Sequence, residues 1–434
     1  MAPNTEECQD APAQESAGTG MEDATNGVGS ADASGSSEAE DFVVSLARAL
    51  HRSGMASHHL ESLLGRVAAR LELDAQMLSL PTAFLASFSG HRPAPSVRTV
   101  IVRLDPGSID LTRQSKLILV GRRVADGTMT VDEARARMSA VEREPGPSWW
   151  LLLCAGTVVA GAASRWFGGG FGEVIIGSVI GFFAVIIARL VRGTRAQRLY
   201  EPLAAISAAV VASLGTRWLV AASPTVAVLG GFLLLLPGYA FTVGMDELSA
   251  RHWVAGTARL AGAFSVILFL GLSVLVASKL AELLPGGPSL TALPPLPPWF
   301  DVAAVVVGLV SLAVWFRTPW IDLPWVVVLG GLAELIERTA APPLGSPLAA
   351  SVAALFLAVT CNGVARLAGR VANAVLAPSL MLLVPGSLGL RSLFALSERN
   401  VLSGVEAAYQ MSAVAVAIVT GLLLGNLLLP SRSQ

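Results

Sequence analysis

The chain has 434 residues, 53% of them apolar and 14% charged, with a formal net charge of −1. Soluble domains carry about 25% charged residues, so this composition excludes a protein whose whole surface faces water. The near-zero net charge carries no information on partners, because the charge is unevenly placed: the first 41 residues hold ten Asp or Glu and no Lys or Arg, and long stretches after Trp149 hold none.

Residues 1–40 are rich in Ala, Ser, Gly, Glu and Asp and are expected to form a disordered acidic tail, since they offer too little apolar surface to offset the entropy of ordering. The amino terminus lacks the basic and apolar regions of a cleaved signal peptide, so the first span is expected later in the chain. From Asp41 the pattern predicts an α+β domain over 41–145. Val43, Val44, Leu46, Ala47 and Leu50 share a helical face that Gly54 ends, and a second helix runs from after Ser57 to about Leu71. Two β-rich stretches follow, 77–89 and 97–104, separated by the turn-forming Gly90 to Pro95. Helices are then predicted over 109–125 and 131–143, the second opened by a capping box, Thr130 with Glu133.

Pro145-Gly146-Pro147 closes this domain, and Trp149-Trp150 is a pair suited to a membrane interface. A span needs about 20 mainly apolar residues, and ten candidates follow: roughly 148–166, 172–190, 202–221, 224–246, 256–280, 300–316, 323–340, 347–367, 376–396 and 404–429. The expected fold class is thus a polytopic α-helical membrane protein behind a small α+β domain. Five spans fall in 148–283 and five in 300–430, joined by the Pro-rich segment 284–299. That segment has no Lys or Arg, whereas Arg189, Arg192, Arg195, Arg198, Arg251, Arg366 and Arg370 fall in the alternate connections. The bias predicts a cell membrane location with the α+β domain and both termini cytoplasmic.

The sequence also repeats itself. Leu235-Leu236-Pro237-Gly238 returns 148 positions on as Leu383-Val384-Pro385-Gly386, and in the same register Leu248 meets Leu396, Ser249 meets Ser397, Arg251 meets Arg399 and Gly256 meets Gly404. Five crossings separate the copies, so they are expected to point in opposite directions, as in the inverted repeats of secondary transporters. A Pro-Gly step in lipid frees backbone groups that can hold a polar solute.

At these residues the chain resembles the bacterial threonine/serine exporters. The resemblance lies in HRSGMASHHLESLLGRVAARLEL and RTVIVRLDPGSIDLTRQSKL of the amino-terminal domain and in the LLPGYAFTVGMDELSA and LVPGSLGLRSL segments. It implies a ten-span exporter of small hydroxy amino acids driven by the proton motive force, acting on a small-molecule substrate and protons within a lipid bilayer.

A zwitterionic solute needs both an anion and a cation partner. The candidate binding residues are Pro237, Gly238, Asp246, Asn362, Pro385, Gly386, Ser387 and Arg391. Arg391 and the helix end at Pro385-Gly386-Ser387 are assigned the carboxylate, and Asp246 the ammonium group or the coupling proton; Glu334 is the second proton-coupling candidate, or a partner for Arg338 one turn on. Glu173, Glu247 and Glu406 are expected at the water interface.

Cys8, Cys154 and Cys361 form no metal spacing and are read as bystanders. His51, His58, His59 and His91 are read as solvated, with no nearby carboxylate to complete a metal set. No phosphate-binding glycine loop is present, which argues against an ATP-driven pump. No catalytic residues, cofactor, metal or nucleic-acid partner are expected, and a homo-oligomer is compatible with the reading. Beside the exporter stand a membrane-anchored enzyme or sensor working through the soluble domain, and an uncoupled channel.

Overall fold

A computed structural model describes residues 26–89, 97–104, 109–282, 293–384, 386–397 and 399–430. Cys8, the expected turn from Gly90 to Pro95 with His91, residues 283–292 of the linker and Pro385 lie outside the described residues.

The first helix, α1 (Asn26–Arg52), begins well inside the segment expected to be disordered up to residue 40. Extending an existing helix avoids the cost of nucleation, and the acidic stretch has partners: Arg98 donates to Glu40 at 3.0 Å and to Asp41 at 2.8 Å. After α2 (Ser57–Arg70), the stretch expected as one β unit over 77–89 folds as two strands, β1 (Asp74–Leu80) and β2 (Ala83–Ser89). Pro81 stands between them, where its missing N–H removes a ladder bond. With β3 (Val97–Arg103) these make an antiparallel sheet of order β1-β2-β3, Phe84 facing Val102 and Ser79.

Alternation along β2 buries Phe84, Ala86 and Phe88 on one face of the sheet. There they join Phe42, Leu46 and Leu50 of α1 and Leu60, Leu63 and Leu64 of α2. The same core takes in α3 (Leu111–Ala125), capped by Asp110, and α4 (Val131–Arg143), whose Thr130–Glu133 capping box forms as expected.

The rest of the chain is a helical bundle: α5 (Trp149–Trp166), α6 (Phe171–Val191), α7 (Tyr200–Leu214), α8 (Pro224–Gly231), α9 (Gly238–Ser249), α10 (Trp253–Glu282), α11 (Trp299–Trp315), α12 (Leu323–Leu344), α13 (Ser346–Ala368), α14 (Asn373–Leu380), α15 (Gly386–Ser397) and α16 (Val401–Leu428). Among the described residues, five segments are long and apolar enough to cross a membrane: Phe171–Val191, Arg195–Leu219, Trp253–Val276, Ser346–Ala368 and Val401–Leu428. Their outer faces expose Phe183, Phe264, Phe269, Leu272 and Leu427, as lipid contact requires. The segments 224–246 and 376–396, expected as single spans, are each two short helices, α8 with α9 and α14 with α15.

The sequence offset of 148 has a counterpart in the elements. Helices α8 and α14 are both 8 residues long, and α9 and α15, whose first residues are 148 apart, are both 12. Each 12-residue helix is followed by an arginine in the left-handed region, Arg251 at φ 65° and Arg399 at φ 61°.

The α+β domain docks on one end of the bundle. Leu111 and Thr112 at the start of α3 donate their backbone N–H groups to the carbonyls of Phe316 and Arg317, both at 3.0 Å. The Arg317 guanidinium returns to the Asp110 carboxylate at 2.8 Å, and Asn373 donates to Gln114 at 2.8 Å.

Helices α13 and α16 pack through small residues, Ala354 and Ala358 against Gly421 and Gly425, which is the way helices approach closely where lipid supplies no hydrophobic drive. A side chain at Gly421 would meet the Ser351 carbonyl, while one at Gly262 on α10 meets nothing within 4 Å. Gly421→Leu is therefore expected to cost about 1–3 kcal/mol and lower the thermal unfolding midpoint in detergent, with Gly262→Leu unchanged in the same assay.

Candidate functional site

Helix α5 leaves the α+β domain at Ser148 and, with 18 residues, carries the chain about 27 Å to the far end of the bundle. There Arg165 pairs with Asp301 at the start of α11 and donates to the Gly169 carbonyl at 2.9 Å. A cavity of about 460 Å³ extends inward from this pair, within the range of small-molecule sites. Its lining includes Trp166, Glu334, Glu337, Arg338, Gly238, Gly386, Ser387, Leu236 and Met381.

Three features give this cavity its chemistry. Helices α9 and α15 both begin at it, so the positive ends of two half-helices face one space. Arg338 is held by Glu334 at 2.6 Å, the pairing expected from their spacing. Glu337, one turn from Glu334, adds a further carboxylate, and the buried indole N–H of Trp166 has no partner among the described residues. The sequence reading passed over Glu337 and Trp166; the i, i+3 spacing of Glu334 and Glu337 on α12 was the available signal.

A second cavity, about 800 Å³, opens at the domain end between Ile109, Pro147 and Trp149 and the arginine-rich connection carrying Arg189 and Arg192. It reaches Pro237, Tyr239, Leu236 and Met381. Leu236 and Met381 line both cavities. They belong to the segments that interrupt α8–α9 and α14–α15 and form the layer between the two spaces. At that layer the two segments touch: a Cβ at Gly386 would stand 3.2 Å from Gly238 Cα, and one at Gly238 would collide with Val384.

The other predicted residues fall elsewhere. Arg391 lies over the Phe167 ring, 5.8 Å from its centre, and is not among the residues lining either cavity, although Phe167 lines the first. Asn362 is buried between α13 and α16, donating to Asn426 and to the Leu429 carbonyl, both at 2.8 Å. Glu173, at the start of α6, accepts from the backbone N–H groups of Gly170 and Ser223 at 2.8 and 2.6 Å, and Glu406 is exposed beside Gln410.

Asp246 and Glu247, near the end of α9, meet the α+β domain. Glu247 was expected at the water interface and is instead fully buried, because Arg259 of α10 donates two bonds to it at 2.9 and 3.0 Å and the Ser57 N–H a third at 3.0 Å. His58 and His59 were expected to be solvated and far from carboxylates. Their rings instead pack together, centres 3.9 Å apart, with His58 Nε2 3.4 Å from the Asp246 carboxylate. Burial pushes both imidazoles down to about 4, so they are neutral at physiological pH. His252 stands against Glu61 at 3.0 Å beside them. Local sequence could not reveal the cluster, since 188 positions separate His58 from Asp246.

A bundle of apolar helices with lipid-facing surfaces, two cavities meeting at paired helix breaks, and a domain docked at one end define a polytopic membrane protein. Residues 41–281 match a family described as "Putative threonine/serine exporter", and residues 301–428 match its companion, "Threonine/Serine exporter, ThrE". The chain belongs to the threonine/serine exporter family. It is similar to the pheromone-regulated membrane protein 10 of Zygosaccharomyces rouxii, 24% identical over 85% of this chain and 38% of the relative, and to that of Saccharomyces cerevisiae, 25% identical over 85% and 48%. The chain thus spans half or less of the length of these curated relatives. No solved structure matches it.

Removing the Glu247 carboxylate strands a guanidinium and a backbone N–H in a buried place. Glu247→Ala is expected to cost about 3–5 kcal/mol, read as faster proteolytic release of the α+β domain from the full-length protein. The double variant with Arg259→Ala is expected to recover part of that loss.

Proposed function

We propose that the protein is a secondary exporter of threonine, serine or similar small amino acids across the cytoplasmic membrane, powered by the proton gradient. The observation that carries this reading is the pair of cavities sharing Leu236 and Met381, one opening at the domain end of the bundle and one at the other. A carrier needs a solute site reachable from either side with a thin movable layer between, and the two breaks at Gly238 and Gly386 supply the hinge.

In this reading the chain crosses the bilayer ten times, as two five-span halves of opposite polarity. The equal lengths of α9 and α15 and their offset of 148 support it. The α+β domain and both termini are cytoplasmic, in keeping with the arginines lining the second cavity. The solute carboxylate is held by the helix starts at Gly238, Gly386 and Ser387 with Arg338 beside them, and the ammonium group by Glu337. Trp166 Nε1 donates to the solute hydroxyl. Glu334 and Glu337 carry the coupling proton.

Counterflow in proteoliposomes tests the reading: labelled threonine or serine is expected to exchange against unlabelled amino acid, and Gly386→Ala to slow exchange at least about tenfold, since the added methyl wedges the crossing. Uncoupled leakage would indicate a channel, and chemical change of the solute an enzyme; either result overturns the proposal. Glu334→Gln is expected to retain exchange while losing acceleration by a pH gradient, and Glu337→Gln, which also removes the ammonium partner, to weaken both. Reporter tags near 252 and near 400 are expected on opposite faces of the membrane, and a shared face would end the two-half arrangement.

A further inference from the structure

His58 and His59 of α2 and Asp246 of α9 offer one ligand atom each, all within 4.8 Å of one another. Two imidazoles and a carboxylate are the donor set of three-ligand zinc sites, which keep a fourth position for water. The His58–Asp246 spacing fits two ligands of a shared ion. A charge-assisted N–H···O bond draws its atoms to about 2.7–2.9 Å, whereas His58 Nε2 and Asp246 Oδ2 stand 3.4 Å apart. Two ligands of one tetrahedral ion, each bonded at about 2.0–2.1 Å, are separated by about 3.3 Å.

The surroundings fit as well. Nδ1 of His58 is buried with no partner among the described residues, so this ring is not spent on holding the fold by hydrogen bonds. Neighbouring Glu247 is neutralised by Arg259, and Glu61 is engaged by His252, which leaves Asp246 as the carboxylate available to a cation. The feature belongs to one half of the bundle: 148 positions on from Asp246 stands Phe394.

We propose that His58, His59 and Asp246 form a divalent metal site, with zinc the ion its ligands fit, that fastens the α+β domain to α9. An ion bound there ties helix α2 to the half-helix that starts at Gly238 and so restrains the break between the two cavities. The site stands on its own geometry and does not depend on what the bundle transports.

The test uses the full-length protein, purified with a histidine-free tag, stripped with chelator and titrated with zinc alone. One equivalent is expected to bind and to raise the thermal unfolding midpoint. His58→Ala, His59→Ala and Asp246→Ala are each expected to weaken binding at least about 100-fold, and His58→Cys to retain it within about tenfold because thiolate is also a zinc ligand. Cobalt added to the unaltered protein is expected to give the strong visible absorption of a tetrahedral site, which needs no variant to fold. Absence of stoichiometric zinc, weak octahedral cobalt absorption, or full binding by the double His58→Ala, His59→Ala variant overturns the proposal. Metal loading without counterflow would sink the exporter reading alone, and counterflow without metal loading this one alone.

Discussion

A backbone in lipid must satisfy every N–H and C=O from within the protein, and a helix can be broken there only where protein or a wet cavity lines the break. Everything distinctive in this bundle follows from meeting that constraint twice, between α8 and α9 and between α14 and α15. The two breaks lie against each other with little space between them: a Cβ at Gly238 would collide with Val384, and one at Gly386 would press on Gly238 Cα at 3.2 Å. The polar ends of α9 and α15 are then gathered at one cavity and need not be hidden separately.

The charged residues around that cavity obey the same rule. Arg165 is joined to Asp301 and Arg338 to Glu334, so each of these cations stands beside a counterion at the cavity. Such pairing lowers the cost of placing charge beside lipid, and it leaves the buried Trp166 indole N–H without a hydrogen-bond partner among the described residues. Pairing is also what makes the domain end firm. Glu247, wholly buried, is affordable only because three donors converge on it, one of them the Ser57 N–H, and this makes docking of the α+β domain a condition for burying the charge.

The degree to which the sequence announces these features depends on how local their physics is. Capping at Thr130, the strand alternation of β2 and the Glu334–Arg338 pair depend on neighbours a few residues away and were readable. The breaks at Pro237 and Gly386 were readable for another reason, that the register of 148 shows them twice. What escaped was set by tertiary contact. Glu40 and Asp41 of α1 are held by Arg98 of β3, and nothing near Ser57 or His58 in the chain foretells their meeting with Glu247 and Asp246. Arg391 shows the converse: composition marked it as a carboxylate partner, and packing set it over an aromatic ring beside the cavity.

Comparing the halves position by position separates two jobs. Gly238 corresponds to Gly386, Arg251 to Arg399 and Gly256 to Gly404, and these are the residues of the crossing and of the turn that follows it. Asp246, Glu247 and Arg259 correspond to Phe394, Ala395 and Ala407, so the charged cluster exists in one half only. A repeated feature serves what both halves do together, which is to form the break and the cavities on either side of it. The feature present once lies in the half whose α9 packs against α2 of the α+β domain, a contact that α15 does not repeat among the described residues. The domain therefore meets both halves by different means, the first through the buried cluster on α9 and the second through Phe316, Arg317 and Asn373 at the ends of α11 and α14, so the two halves are tied to it unequally.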